Sequence, residues 1–175
     1  MTRYAVFLRG VNVGGVSLKM ADVASALTDA GFGNVHTILA SGNVLLDSDS
    51  AVNTVRKKAE AALREKFGYD AWVLVYDVER VRAIDDGYPF EREAEGYQSY
   101  VTFVSDTEVL DELGVLKATP GEKISRGDGV IYWQVPKGAT LDSTIGKTMG
   151  KPRYKSATTT RNLRTLAKVL QAADK

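Results

Sequence analysis

The chain has 175 residues, 44% of them hydrophobic and 26% charged, and a formal net charge of +1; this is globular composition with enough length for one full core or two small ones. The lack of cysteine and the single histidine, His36, exclude disulfides, thiolate nucleophiles and sulfur-built zinc sites, and argue against a histidine triad or a first-row transition-metal centre. No apolar run approaches the ~20 residues of a bilayer span and no leader pattern opens the chain, so the expected protein is cytoplasmic, has no membrane partner, metal or cofactor, and carries any basic footprint only locally.

Residues 3–11, RYAVFLRGV, are nearly all apolar and predict a central strand. In MADVASALTDAG, Met20, Val23, Ala24, Leu27 and Ala30 recur at helical spacing, with Gly31 available for a left-handed cap. NVHTILASGNVLLDS reads as two short strands bent at Ser41-Gly42-Asn43. The stretch SAVNTVRKKAEAALREKFG predicts an amphipathic helix with Ser50 as its cap. Its inner stripe is Val52, Val55, Ala59, Ala62, Leu63 and Phe67, and Glu60 and Arg64 lie on its wet face. Gly68 stops the helix, and AWVLVY returns as a strand. The order β-α-β-β-α-β is the split βαβ arrangement, an antiparallel sheet with both helices on one face.

In the second half, DVERVRAI predicts a short helix capped by Asp77. FEREAEG is an acidic surface linker and YQSYVTFV is a strand. A helix then begins with Ser105 and Glu108 as a capping box and Val104 with Val109 as the hydrophobic staple. EKISRGDGVIYWQV is a hairpin across Arg126-Gly127-Asp128-Gly129. A short helix LDSTIGKTM, a basic loop GKPRYKSATTT and a final helix RNLRTLAKVLQAAD close the chain. The fold class expected is α+β with two small lobes, residues 1–77 and residues 78–175 with a basic carboxyl-terminal helix. A single continuous α+β domain is the competing reading.

Three stretches offer binding chemistry. Gly10-x-Asn12-x-Gly14-Gly15 is neither a dinucleotide fingerprint nor a P-loop, yet its glycines let backbone N–H groups form an anion nest. Arg9, at the strand end, could clamp a carboxylate or phosphate with two parallel bonds; a simple turn with a solvated arginine is the alternative. Ser41-Gly42-Asn43 has the same character, but with short connections it is expected at the opposite end of the sheet from the first bend, so the two share a site only if the strand carrying Ser41 runs further. From Ser143 to Ala173 there are seven basic residues (Lys147, Lys151, Arg153, Lys155, Arg161, Arg164 and Lys168) and no acidic one, leaving about −6 for the remainder. Thr158-Thr159-Thr160 ahead of a helix opened by Arg161 reads as an anion site at a helix amino terminus, or as a cap beside a solvated basic face. His36 reads as a partly exposed structural residue and Trp133 as core. Trp72 could stack a base, although aromatics in such strands usually pack against helices.

FLRGVNVGG with the following KM, then ASGNV, KFG and TTTRNLRT, resembles the domain-of-unknown-function 1697 family of small cytoplasmic bacterial proteins, from Tyr4 to about Leu170. The resemblance implies two ferredoxin-like lobes and no established activity. The family's motif residues fall on Arg9, Gly10, Asn12, Gly14, Gly15, Ser41, Gly42, Asn43, Thr159, Thr160, Arg161 and Asn162; an aromatic often follows the Arg-Asn pair, where this chain has Leu163. Three functions stay open: binding of an anionic ligand (nucleotide, phosphorylated metabolite or nucleic-acid backbone) between the lobes, catalysis on such a ligand, or a structural or protein-interaction role. The ligand contacts expected under the first are Arg9, Asn12, Gly14, Gly15, Ser41, Asn43, Lys155, Thr159, Thr160, Arg161 and Asn162.

Overall fold

The computed structural model describes residues 1–9, 17–92, 94–140, 143–149, 151–154 and 157–175. Two compact units divide the chain: Met1–Arg82 with Ala167–Lys175, and Ala83–Leu166.

The first unit is built on β1 (Thr2–Leu8), α1 (Met20–Asp29), β2 (Gly33–Ile38), β3 (Asn43–Ser48), α2 (Val52–Phe67) and β4 (Val73–Asp77). The sheet order is β2-β3-β1-β4, and every neighbouring pair is antiparallel. Tyr4, Val6 and Leu8 of β1 join Val44, Leu46, Val73 and Val75 against Val23 and Leu27 of α1 and Val55, Ala59 and Leu63 of α2. Ala5, Phe7, Leu45 and Leu74 alternate with them and are buried too. That double burial is why β1 reads as a continuous apolar run instead of alternating. The strand ends at Leu8, two residues before the first residue outside the description.

Helix α2 departs from expectation at both a cap and a face. Its N-cap is Ala51, with no side-chain cap bond, because Ser50 is held otherwise: its N–H donates to Ser48 Oγ and its carbonyl accepts from Tyr4 Oη. Val52 is exposed, whereas Glu60 is buried. Gly68 closes the helix at φ +68°, a left-handed turn that any other L residue would adopt at a cost.

The chain continues through α3 (Val78–Asp86), whose Arg80 N–H is capped by Asp77 Oδ1 at 2.8 Å. The second sheet comprises β5 (Tyr97–Val104), β6 (Lys123–Arg126), β7 (Val130–Pro136) and β8 (Thr158–Asn162), with α4 (Thr107–Gly114), α5 (Thr144–Met149) and a 3-10 turn at Pro152–Tyr154. Its order, β6-β7-β5-β8, is again antiparallel throughout and matches the first sheet position for position. The α+β architecture with two ferredoxin-like lobes therefore holds, although the two halves share no visible sequence repeat. Val109, Leu110 and Leu113 of α4 and Ile145 of α5 pack on Val104, Ile131, Trp133 and Val135. Trp133 is core as expected, 1% exposed, stacked on Tyr100 at 4.4 Å and donating through Nε1 to Thr102 Oγ1 at 2.9 Å.

Two local expectations are corrected here. The cap of α4 is Asp106, accepting from Glu108 and Val109 N–H, while Ser105 Oγ donates to the Ala157 carbonyl. Residues 158–162 form an edge strand paired with β5 and not a loop and helix start, so the last helix, α6 (Leu163–Ala173), begins two residues later than expected. Three threonines and an arginine suit the β-region when their polar atoms find partners within the sheet. Among the described residues no helix is long and apolar enough to cross a membrane.

Candidate functional site

The carboxyl end of β1 collects three chain segments. Because β3 runs against β1, Phe7 lies opposite Asn43, and Leu8 N–H donates to the Gly42 carbonyl at 2.8 Å. The Ser41-Gly42-Asn43 turn therefore sits beside the end of β1, not at the far end of the sheet. The expectation failed on strand direction: α1 carries the chain back, so β2 runs parallel to β1 and finishes at the same end. On the other flank Val73 lies opposite Leu8, and Arg9 N–H donates to the Trp72 carbonyl at 2.9 Å.

Arg9 is a charged group at this end, just past β1. Its Nε is buried and has no hydrogen-bond partner, and among the described residues no carboxylate forms an ion pair with it. Burial holds the guanidinium below its ordinary pKa. A desolvated cation without a counter-charge is costly, and an incoming anion removes that cost. Asn12, Gly14 and Gly15, the proposed nest, lie outside the described residues, as does Lys155.

The adjoining turn is held by its own side chains. Asn43 is fully buried, and its Nδ2 donates to the Ile38 carbonyl at 2.8 Å and to Ser41 Oγ at 2.9 Å. These bonds brace Leu39, which is exposed and adopts φ +61°, a left-handed conformation costing about 1 kcal/mol for a residue with a Cβ.

The other expected contacts belong to the second unit. Arg161 is 6% exposed; its Nη1 donates to Thr159 Oγ1 at 2.6 Å and to the Thr160 carbonyl at 2.9 Å. Thr160 Oγ1 shares a hydrogen bond of 2.8 Å with Thr102 Oγ1. Asn162, not Thr160, caps α6, accepting from Thr165 N–H at 2.9 Å. Arg161 stands in a strand, not at the helix start. Asn162→Ala should destabilise the protein by about 1 kcal/mol, the usual cost of losing an N-cap, as read by urea unfolding; no change would mean that the cap bond contributes nothing. The basic stretch is also partly spent within the fold: Arg153 makes a two-pronged pair with Glu112.

Residues 1–132 match a family model described as "Protein of unknown function (DUF1697)". The chain belongs to this family. The matched span holds the Arg9-Gly10, Met20 and Ser41-Gly42-Asn43 motifs and ends before β8. A solved structure described as the conserved bacterial protein SP0830 from Streptococcus pneumoniae is similar in fold, with a TM-score of 0.84 and 23% identity, over 100% of this chain and 99% of that one. No curated protein matches.

Two residues at this end of the DUF1697 chain were read differently from sequence. Glu60, assigned to the wet face of α2, is 6% exposed; its Oε2 accepts from Val73 N–H at 3.1 Å and its Oε1 from Arg56 Nη1 at 3.0 Å. Its spacing three and seven residues before the apolar Leu63 and Phe67 was the available signal. Trp72, expected to pack, is 36% exposed. The Arg64 guanidinium carbon stands 4.7 Å from the centre of its indole, while Arg64 Nε donates to the Ala71 carbonyl at 3.1 Å.

Proposed function

We propose that the protein binds a phosphate- or carboxylate-bearing ligand (a nucleotide, a phosphorylated metabolite or a nucleic-acid backbone) with Arg9 as its charge partner. The observation that carries this reading is the buried, unpartnered Nε of Arg9 at the end of β1. Isolated donors of this kind are rare in folded proteins and call for an explanation, and a forked cation is matched to a planar or tetrahedral oxyanion. The near-neutral net charge and the pairing of Arg56, Arg82, Arg92, Arg126 and Arg153 with carboxylates favour a compact anion over a long polyanion, which needs a continuous basic track.

Thermal melts with inorganic phosphate test it. Arg9→Met should raise the phosphate-free melting temperature by about 2–4 °C, because about 1 kcal/mol of frustration is removed, and should abolish the rise that phosphate gives the natural protein. A phosphate response equal in both proteins, or absent from both, contradicts the proposal. The second reading, a structural role for the motif, draws on the turn bonds of Asn43 and the cap made by Asn162; it predicts instead that Arg9→Met lowers stability and leaves phosphate without effect.

A further inference from the structure

We infer that the ligand at Arg9 is a nucleotide unit, its heteroaromatic base stacked on Trp72 and its phosphate at the guanidinium; this rests on the assignment of Arg9 as the anion partner. The chain enters β4 through a buried segment, with Ala71 0% and Val73 2% exposed, yet the tryptophan between them, just ahead of the strand, is 36% exposed. An indole left in water forfeits the burial that makes tryptophan worth placing. Its ring is nevertheless held: Arg64 lies over it and is itself anchored to the backbone of Ala71. No other ring of the described residues stacks on it. A braced, partly open aromatic surface of this kind accepts a base of any identity, since every base has a π-face. Trp72 and Arg9 are tied by the Arg9 N–H bond to the Trp72 carbonyl, so a flat apolar surface and a half-buried cation with a buried Nε come from facing positions just beyond the end of β1 and just before the start of β4. The ligand that satisfies both carries an aromatic ring and an anion a short distance apart. Exposed Leu39 stands in the turn on the opposite flank of β1 and adds apolar surface at the same end.

The test compares adenosine monophosphate, ribose 5-phosphate and inorganic phosphate by titration calorimetry and tryptophan emission, in the natural protein and in Trp72→Leu. Trp133, 1% exposed, supplies a constant background. Adenosine monophosphate should quench the emission and bind at least about tenfold more tightly than ribose 5-phosphate, the gain expected of one stacked base. Trp72→Leu should erase both the quench and that advantage while leaving ribose 5-phosphate affinity unchanged. A short oligoadenylate that binds more tightly still, with the same dependence on Trp72, supports the inference and makes a single strand the source. Equal affinity for adenosine monophosphate and ribose 5-phosphate overturns the base assignment while leaving Arg9 as the anion partner. A nucleotide advantage that survives in Trp72→Leu overturns it as well. Failure of all three phosphates to bind overturns both this inference and the reading of Arg9.

Discussion

Glu60→Ala should destabilise the protein by about 3 kcal/mol, and Glu60→Gln by only about 1 kcal/mol. The difference follows from what the carboxylate does. β4 is an edge of its sheet, and Glu60 Oε2 gives Val73 N–H the acceptor that a further strand would otherwise provide. Alanine leaves that buried donor unsatisfied, which costs about 1–3 kcal/mol, and leaves Arg56 without its partner beside a new gap. Glutamine keeps one carbonyl oxygen for Val73 and turns its NH2 donor toward Arg56, so it loses the charge and the hydrogen bond of that pair. That pair is partly screened, since the Arg56 side chain is 34% exposed, so its share is small. Urea unfolding followed through the emission of Trp72, the residue preceding Val73, measures both variants. Equal losses for alanine and glutamine would show that the acceptor is not what Glu60 contributes. Because Val73 pairs with Leu8 and Trp72 with Arg9, the alanine variant should also loosen the proposed binding end.

Gly146→Ala should cost about 3 kcal/mol, confined to the second unit. A Cβ at this position would run into the backbone carbonyl oxygen of Thr140 and come within 2.8 Å of Ser143 Oγ. Neither atom is free to retreat. Ser143 Oγ donates to that same carbonyl at 2.7 Å and accepts from Gly146 N–H at 3.0 Å, and the neighbouring Ile145 is fully buried in the core. Overpacking against backbone sits at the upper end of the usual 1–3 kcal/mol. Near-ultraviolet circular dichroism reports the consequence through Trp133, which shares the core with Ile145. A variant with unchanged Trp133 signal and unchanged stability would show that the turn before α5 opens without penalty.

The nature of the elements was legible because it is local. Strand β1, the apolar stripes of α1 and α2, the left-handed stop at Gly68 and the cap at Asp77 depend on neighbours within a few residues, and each could be read from spacing and residue type. The caps that were misplaced show the limit of the same rule. Ser50 and Ser105 are good capping residues by type, but Ser50 is engaged by Ser48 and Tyr4 and Ser105 by Ala157. The last of these partners lies 52 residues away. Thr158–Asn162 was misread for a related reason: a polar pentapeptide beside an amphipathic helix has no period that announces a strand, and only its pairing with β5 makes it one.

By itself the sequence determined the first split βαβ unit, the apolar stripes of its helices and the presence of Arg9 at a strand end, since periodicity and turn chemistry are properties of short stretches; the second ferredoxin-like lobe was implied only by the family resemblance, and its last strand was not read. Tertiary structure alone decided that the Ser41–Asn43 turn stands beside Arg9, that Arg161 is bonded to threonines within a strand, that Glu60 is buried and that Trp72 is open. These depend on strand direction and on which backbone donors remain after the sheet is assembled, and no local pattern encodes a partner dozens of residues away.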